Sequence, residues 1–505
     1  MEKRHRFRLV LALAGVAALV YLPSLRNGFA YDDVPVIPGD PRIHSWAGLL
    51  GAFTRPYWAE RGAELGLYRP LTSASFGVDW LLGGGAPAWF HAVNVLWHAG
   101  ACVLAFLLLA ELFAPAAALA GALVFAVHPV HVEAVANVVG RAEAMSAVFF
   151  LGAALVWMRA GAALSVRRLA AVAALFALAL LSKESAATLP AILVLIDAAR
   201  GEWSARASGL AGYLRRRGPA LGVLLAMLAA ATAARVAVVG RLSPAAYDPA
   251  LDVVAGGPER VLTALQAWPV YLRLLLFPRT LLADYGPRIL MPAFGWTAAA
   301  AAGLALLAAL VLGGLVALER GRPAAALGLL WFPVTILPVS NLLFATGILV
   351  AERTLYLPSL ALSFGVAALG ALAPALRPAA RRTLATLAAA AIVALAARSV
   401  VREPEWASTD TIFAALLRDR PDSFRAHWIH ARAAALAGDP TGARAHYDEA
   451  LRLWPYRRGL LLEAGEAAVS QGRLEYAAVI ARMAVERWPD DPRARALAAA
   501  ARRTP

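Results

Sequence analysis

The feature that most limits what this chain can become is a succession of apolar runs with almost no charge, recurring through the first 400 residues and each near the length of a hydrocarbon core. Runs of that kind cannot be hidden inside one soluble core, so the bilayer has to be the main solvent and the chain must cross it repeatedly. Candidate crossings are the run to about Leu22, then 88–112, 115–132, 143–160, 168–182, 186–199, 218–239, 297–318, 323–341, 355–373 and 382–401, eleven in all. Two of these, 168–182 and 186–199, are short for crossing. The stretch 260–278 contains Pro269 and Arg273 and is expected to be re-entrant or interfacial. Composition agrees: 60% of residues are hydrophobic and 16% charged, outside the range of soluble proteins. The net charge of +15 could suggest nucleic acid, but the cations cluster between apolar runs, as in Lys3 to Arg8, Arg215 to Arg217 and Arg377 to Arg382. There they orient helices with the N-terminus inside. Met1 to Leu22 also has the make-up of a signal peptide, and a first membrane helix is the preferred reading. Cys102, the lone cysteine, lies in an apolar run, so no disulfide framework or cysteine metal site is available.

Beyond Arg402 the composition becomes that of a soluble protein, and a period appears. Pro421, Pro455 and Pro489 are spaced by 34 residues, as are Gly438 and Gly472, and Trp454 and Trp488. That interval is the signature of tetratricopeptide repeats. In that register Ala443 and Ala477, then Ala450 and Ala484, fall where paired helices touch. Tyr447 takes the aromatic position, from which Ala481 departs. Repeats of this kind present a groove to an extended polypeptide and carry no chemistry of their own. The domains expected are thus a membrane domain over 1–402, with a first outer loop at 26–87, and a soluble repeat domain over 403–505.

Costly polar groups in membrane proteins gather where water or function needs them, and the topology above brings them to the outer face. Asp32 and Asp33 follow the first run, and Arg69 lies in the loop after it. His128, His131 and Glu133 end the third run; Arg141 and Glu143 open the fourth. Lys183 and Glu184 form an outer turn, and Glu352, Arg353 and Tyr356 begin the tenth run. Such a set suits attack of an acceptor hydroxyl on an activated sugar. A carboxylate, Asp32 or Asp33, would take the proton, and Arg69, Arg141, Lys183 or Arg353 would hold the departing phosphate. Blander readings stand beside each group. An aspartate pair can be a solvated turn, and Lys183–Glu184 and Glu352–Arg353 can be local ion pairs. His128 and His131 can be hydrogen-bonded helix-end residues, or with Glu133 could share a divalent cation. A transporter or a scaffold with a protein-binding tail is the rival class, although its polar groups should lie at mid-membrane, where these runs are nearly free of charge.

Over nearly the whole chain, in order, the sequence resembles the transmembrane and tetratricopeptide-repeat-containing protein O-mannosyltransferases of the GT-C glycosyltransferase group. The stretches that carry the resemblance are Tyr31-Asp32-Asp33, the run from Tyr68 to Ala99, the run from Leu119 to Leu151 containing HPVHVEAV and VGRAE, LLSKESAATLPAILVLIDA from Leu180, AERTLYLPSL from Ala351, and Trp406 with the repeats that follow. The resemblance implies an all-α GT-C bundle that moves a sugar, typically mannose, from a polyprenyl- or dolichyl-phosphate carrier to Ser or Thr hydroxyls outside the cytoplasm. The acidic motif of the first outer loop, here Asp32 and Asp33, would hold the base. The tail carries only about two full repeats, fewer than many relatives have, which leaves open a glycan or lipid acceptor or a purely structural tail. The Ala- and Arg-rich composition points to a bacterial inner membrane, with the site and tail in the periplasm.

Overall fold

The computed structural model describes residues 2–59, 66–160, 164–203, 209–242, 248–254 and 257–502, and every regular element among them is helical. Six helical segments are long and apolar enough to cross a bilayer: Arg4–Arg26, Pro87–Leu109, Val138–Ala160, Gly209–Val239, Ala298–Glu319 and Pro378–Ala407. A seventh forms if Pro115–Val127 and Pro129–Val135, which meet at 47°, count as one span. The remaining four of the eleven expected crossings fall on shorter helices, Val166–Ser182, Leu189–Ala199, Pro323–Ile336 and Leu360–Leu372. The 11 residues of Leu189–Ala199 rise only about 17 Å at 1.5 Å per residue, well short of a hydrocarbon core. The chain is an integral membrane protein, with six or seven of its crossings evident from helix length and composition.

The stretch 260–278 divides into Pro258–Leu265 and Ala267–Leu276, neither long enough to span. The second buries Trp268, Tyr271 and Leu274 in the main core. The first helix packs Leu13, Ala17 and Tyr21 into the same core. By contrast, Gly209–Val239, Ala298–Glu319 and Pro378–Arg402 leave most of their apolar side chains uncovered, the arrangement of helices whose outer faces are solvated by lipid.

The bend at His128 follows from Pro129. Proline offers no N–H to the preceding turn and forces the residue before it out of the α region; His128 is extended at φ −71°, ψ 128°. Residues 124 to 147 around this bend are buried without a break, so irregular backbone is enclosed by protein, the one setting in which a membrane tolerates it. Gly140 closes the turn because a Cβ there would meet the backbone of Glu133 and Ala134.

After Arg402 the chain forms stacked helical hairpins. Helices begin at Phe424, Arg458 and Pro492, and their partners at Pro440 and Leu474, reproducing the 34-residue interval. Ala443, Ala450, Ala477 and Ala484 are all buried between them, small residues where helix axes approach. The hairpins rest on the membrane part through Arg425–Asp284 at 2.7 Å and Arg457–Asp252 at 2.8 Å.

Candidate active site

A cavity of about 450 Å³ opens among the first outer loop, the turn at 183–187, the helix Gly209–Val239 and the segment 338–354. Its wall carries Asp32, Arg69, Glu143, Lys183, Glu184 and Arg353 from the expected set, together with Arg235, Tyr57 and Trp58. Groups as far apart in sequence as Asp32 and Arg353 thus meet in one hollow.

The two neighbouring aspartates part company. Tyr31 adopts the left-handed conformation at φ 50°, uncommon for a bulky residue; after it Asp32 and Asp33, at the start of the short helix Asp33–Val36, project in different directions. The Asp33 carboxylate is fully buried and accepts from the backbone N–H groups of Ala30 (3.2 Å), Val138 (3.2 Å) and Val139 (2.8 Å). It fastens the loop to the turn ahead of Arg141 and does not line the cavity. Burial pushes its pKa up to about 7 against the lowering effect of those donors. Asp32, with 22% of its side chain open, faces the cavity, where its nearest cation is Arg353 at 4.0 Å. Burial raises its pKa, Arg353 opposes this, and Glu133 adds to it.

The Tyr31 twist is held from the far end of the chain. Its N–H donates to Thr409 Oγ1 (2.9 Å) and its ring meets Phe413 edge-on at 5.0 Å. Gly28 N–H donates to Ala407 O at 3.0 Å, and Ser24 N–H to Glu403 Oε2 at 2.9 Å.

Three of the cations around the cavity, Arg69, Lys183 and Arg353, are matched to carboxylates, and not to the sequence neighbours expected. Arg69 grips Glu184 with two hydrogen bonds of 2.6 and 2.9 Å. Lys183 pairs with Glu143 from the helix Arg141–Ala160. Burial would raise the Glu184 carboxyl, but Arg69, then Lys183 and Arg235, hold it below the usual range. Arg353 pairs with Glu133, which also accepts its backbone N–H at 2.8 Å. Neither Lys183–Glu184 nor Glu352–Arg353 is therefore a local ion pair.

Several expected site residues lie behind the cavity wall. His128 Nε2 donates to Leu275 O at 2.9 Å while its Nδ1 accepts from Val130 N–H, and His131 Nε2 meets Ser359 Oγ at 2.8 Å. With Glu133 committed to Arg353, these three donors point to separate partners and do not converge on an ion. Among the described residues no group of three His, Cys, Asp or Glu is placed to hold a metal. Arg141 is fully buried against Asp79 (2.5 Å), Asn94 Oδ1 (2.6 Å) and Phe90 O (3.0 Å). Glu352 accepts from Leu282 N–H and Tyr285 OH and lies 4.0 Å from Arg402. Tyr356 OH bonds His98 Nδ1 at 2.7 Å. These residues lie behind the cavity lining and are held there by other parts of the protein.

Arg235 was not foreseen. Its signal was a lone arginine near the outer end of an apolar run, a place where orienting cations are not expected.

No family model matches the chain. It is 29% identical to Protein O-mannosyl-transferase TMTC4 of Homo sapiens, over 86% of this chain and 65% of that protein. Identity to Protein O-mannosyl-transferase TMTC3 of Mus musculus is 32%, over 70% of this chain and 41% of that protein. Among solved structures it is similar to the oligosaccharyltransferase AglB of Archaeoglobus fulgidus, with 14% identity, a TM-score of 0.42 and coverage of 90% of this chain and 60% of that one. The chain spans 41 to 65% of the length of the first two of these relatives. By sequence, then, it is related over most of its length to the TMTC protein O-mannosyl-transferases.

Proposed function

We propose that this protein is a membrane glycosyltransferase of the GT-C type that moves a sugar, mannose in the first instance, from a polyprenyl-phosphate carrier to Ser or Thr hydroxyls of an extracytoplasmic polypeptide. The observation that carries this reading is the state of Asp32. Glu143 and Glu184 in the same wall are bound by cations, whereas no hydrogen bond occupies the Asp32 carboxylate among the described residues. An acceptor hydroxyl can therefore reach it.

In the proposed reaction the acceptor oxygen attacks sugar C1 from the face opposite the phosphate. Its bond to C1 forms as the C1–O bond to phosphate breaks, with inversion. The hydroxyl proton passes to Asp32, and the bonding pair leaves on the carrier phosphate, whose charge the basic wall stabilises. A raised pKa on Asp32 fits a base that must accept a proton near neutral pH. The helical hairpins would present the polypeptide, and the site would face the periplasm of a bacterial inner membrane. No step is routed through a metal: Glu143 and Glu184 are held by cations, and His128 and His131 by protein partners.

The test is transfer by purified protein from polyprenyl-phosphate mannose to secreted polypeptides, read by mass spectrometry. Product with the wild type and none with Asp32→Asn supports the proposal. Full transfer by Asp32→Asn removes Asp32 from the mechanism.

A further inference from the structure

The wall of the cavity holds four cations, Arg69, Lys183, Arg235 and Arg353, and three acids, Asp32, Glu143 and Glu184. Glu184 neutralises Arg69, Glu143 neutralises Lys183, and Glu133 from behind the wall neutralises Arg353. A guanidinium already gripped by a buried carboxylate has few donors and little net charge left for an incoming anion. Arg235 differs. Among the described residues it has no carboxylate partner; one Nη donates to Gly66 O at 2.7 Å, and its buried Nε has no acceptor. A buried N–H without an acceptor costs free energy that a ligand oxygen would recover.

Its position adds a second constraint. Leu228, Ala231, Thr232 and Arg235 all line the cavity, and their spacing places them on one face of the helix Gly209–Val239. The opposite faces of that helix are largely uncovered apolar surface, as expected of a helix bathed in lipid. One face thus runs from apolar side chains to a single cation, beside the uncovered apolar surface of the same helix. This matches a molecule with an apolar chain and an anionic head.

Resting on the transferase reading above, we propose that Arg235 is the anchor for the phosphate of a polyisoprenyl-phosphate ligand, with the first isoprene units lying along Leu228 and Ala231. Arg69, Lys183 and Arg353 then act mainly by holding the wall's carboxylates in place.

Binding of farnesyl phosphate and of farnesol to the full-length protein in detergent, followed by tryptophan fluorescence with Trp58 in the wall, tests this without any turnover. Wild type should prefer farnesyl phosphate. Arg235→Ala and Arg235→Gln should each weaken farnesyl phosphate by about 10- to 100-fold, the range of a charged hydrogen bond, and leave farnesol unchanged. Arg235→Lys should restore part of the loss. Unchanged farnesyl phosphate affinity in Arg235→Ala, with the wild-type preference for phosphate intact, overturns the anchor and leaves the transferase reading standing. Equal binding of farnesol and farnesyl phosphate by the wild type overturns both.

Discussion

Asp32 and Asp33 are adjacent and chemically identical, and the structure gives them opposite consequences when changed. Replacing Asp33 with Ala leaves the N–H groups of Ala30, Val138 and Val139 without an acceptor in a fully buried place. At about 1–3 kcal/mol for each orphaned donor, softened by local relaxation, the loss should total about 3–6 kcal/mol, a large part of a typical domain's stability. Asp33→Asn can turn its oxygen to the N–H groups of Ala30 and Val138 but then sets an NH₂ against that of Val139, and should cost about 1–3 kcal/mol. Asp32 accepts no hydrogen bond among the described residues, so Asp32→Asn should shift thermal stability by less than about 0.5 kcal/mol. Its turnover should nevertheless fall by about 10²- to 10⁴-fold, the usual worth of a general base. Thermal unfolding in detergent followed by intrinsic fluorescence, together with single-turnover transfer of a radiolabelled sugar, separates the two. The reasoning is refuted if Asp32→Asn unfolds early, or if Asp33→Asn keeps the wild-type melting temperature and loses only turnover.

Asp248 accepts from the N–H groups of Ala250 (2.9 Å) and Leu349 (3.2 Å), and burial, reinforced by Asp284, pushes its pKa up to about 6. The folded protein therefore holds that proton to higher pH than the unfolded chain, which releases it at about 4. Stability should fall as pH rises from about 4 to about 6, and Asp248→Asn should flatten that part of a melting-temperature profile. For Arg69 and Glu184, either single change to Ala should destabilise more than its share of the double change, giving a coupling of about 1–3 kcal/mol in a denaturation cycle; additivity would dissolve the pair. Thr409→Ala should lower kcat several-fold at unchanged donor KM by releasing the Tyr31 backbone, with Thr409→Ser restoring it; a change in KM alone would place Thr409 in binding.

The sequence pattern was most legible where physics is one-dimensional. Long uncharged runs mark bilayer crossings whatever the tertiary fold, and the ends of Pro87–Leu109 and Ala298–Glu319 lie within a few residues of expectation. Short buried helices such as Leu189–Ala199 have the same apolar character without the length, so the expected number of crossings exceeds what helix length supports. At the site, spacing brought Asp32, Arg69, Lys183 and Arg353 to one face of the membrane, and the cavity unites them. Spacing could not tell a residue that faces the cavity from one that builds it. His128, His131 and Arg141 belong to the most distinctive motifs in the chain, yet each spends its hydrogen bonds inside the protein. What decides between these roles is the direction of a side chain across the 31–33 turn or the Pro129 bend, which no periodicity encodes. Arg235 lies within an apolar run, where hydropathy marks a crossing and says nothing of a site.

The clasp between the Gly28–Tyr31 loop and the segment from Glu403 to Thr409 joins positions as much as 379 residues apart. During synthesis the ribosome delivers the first partner long before the second. At about 5–20 residues per second, roughly 20–75 s separate them. Throughout that interval the acidic loop lacks these contacts, so a nascent or prematurely ended chain would carry Asp32 without the posture that the proposed base requires. Under the proposed mechanism, competence is in this way deferred until the segment from Glu403 to Thr409 has been made.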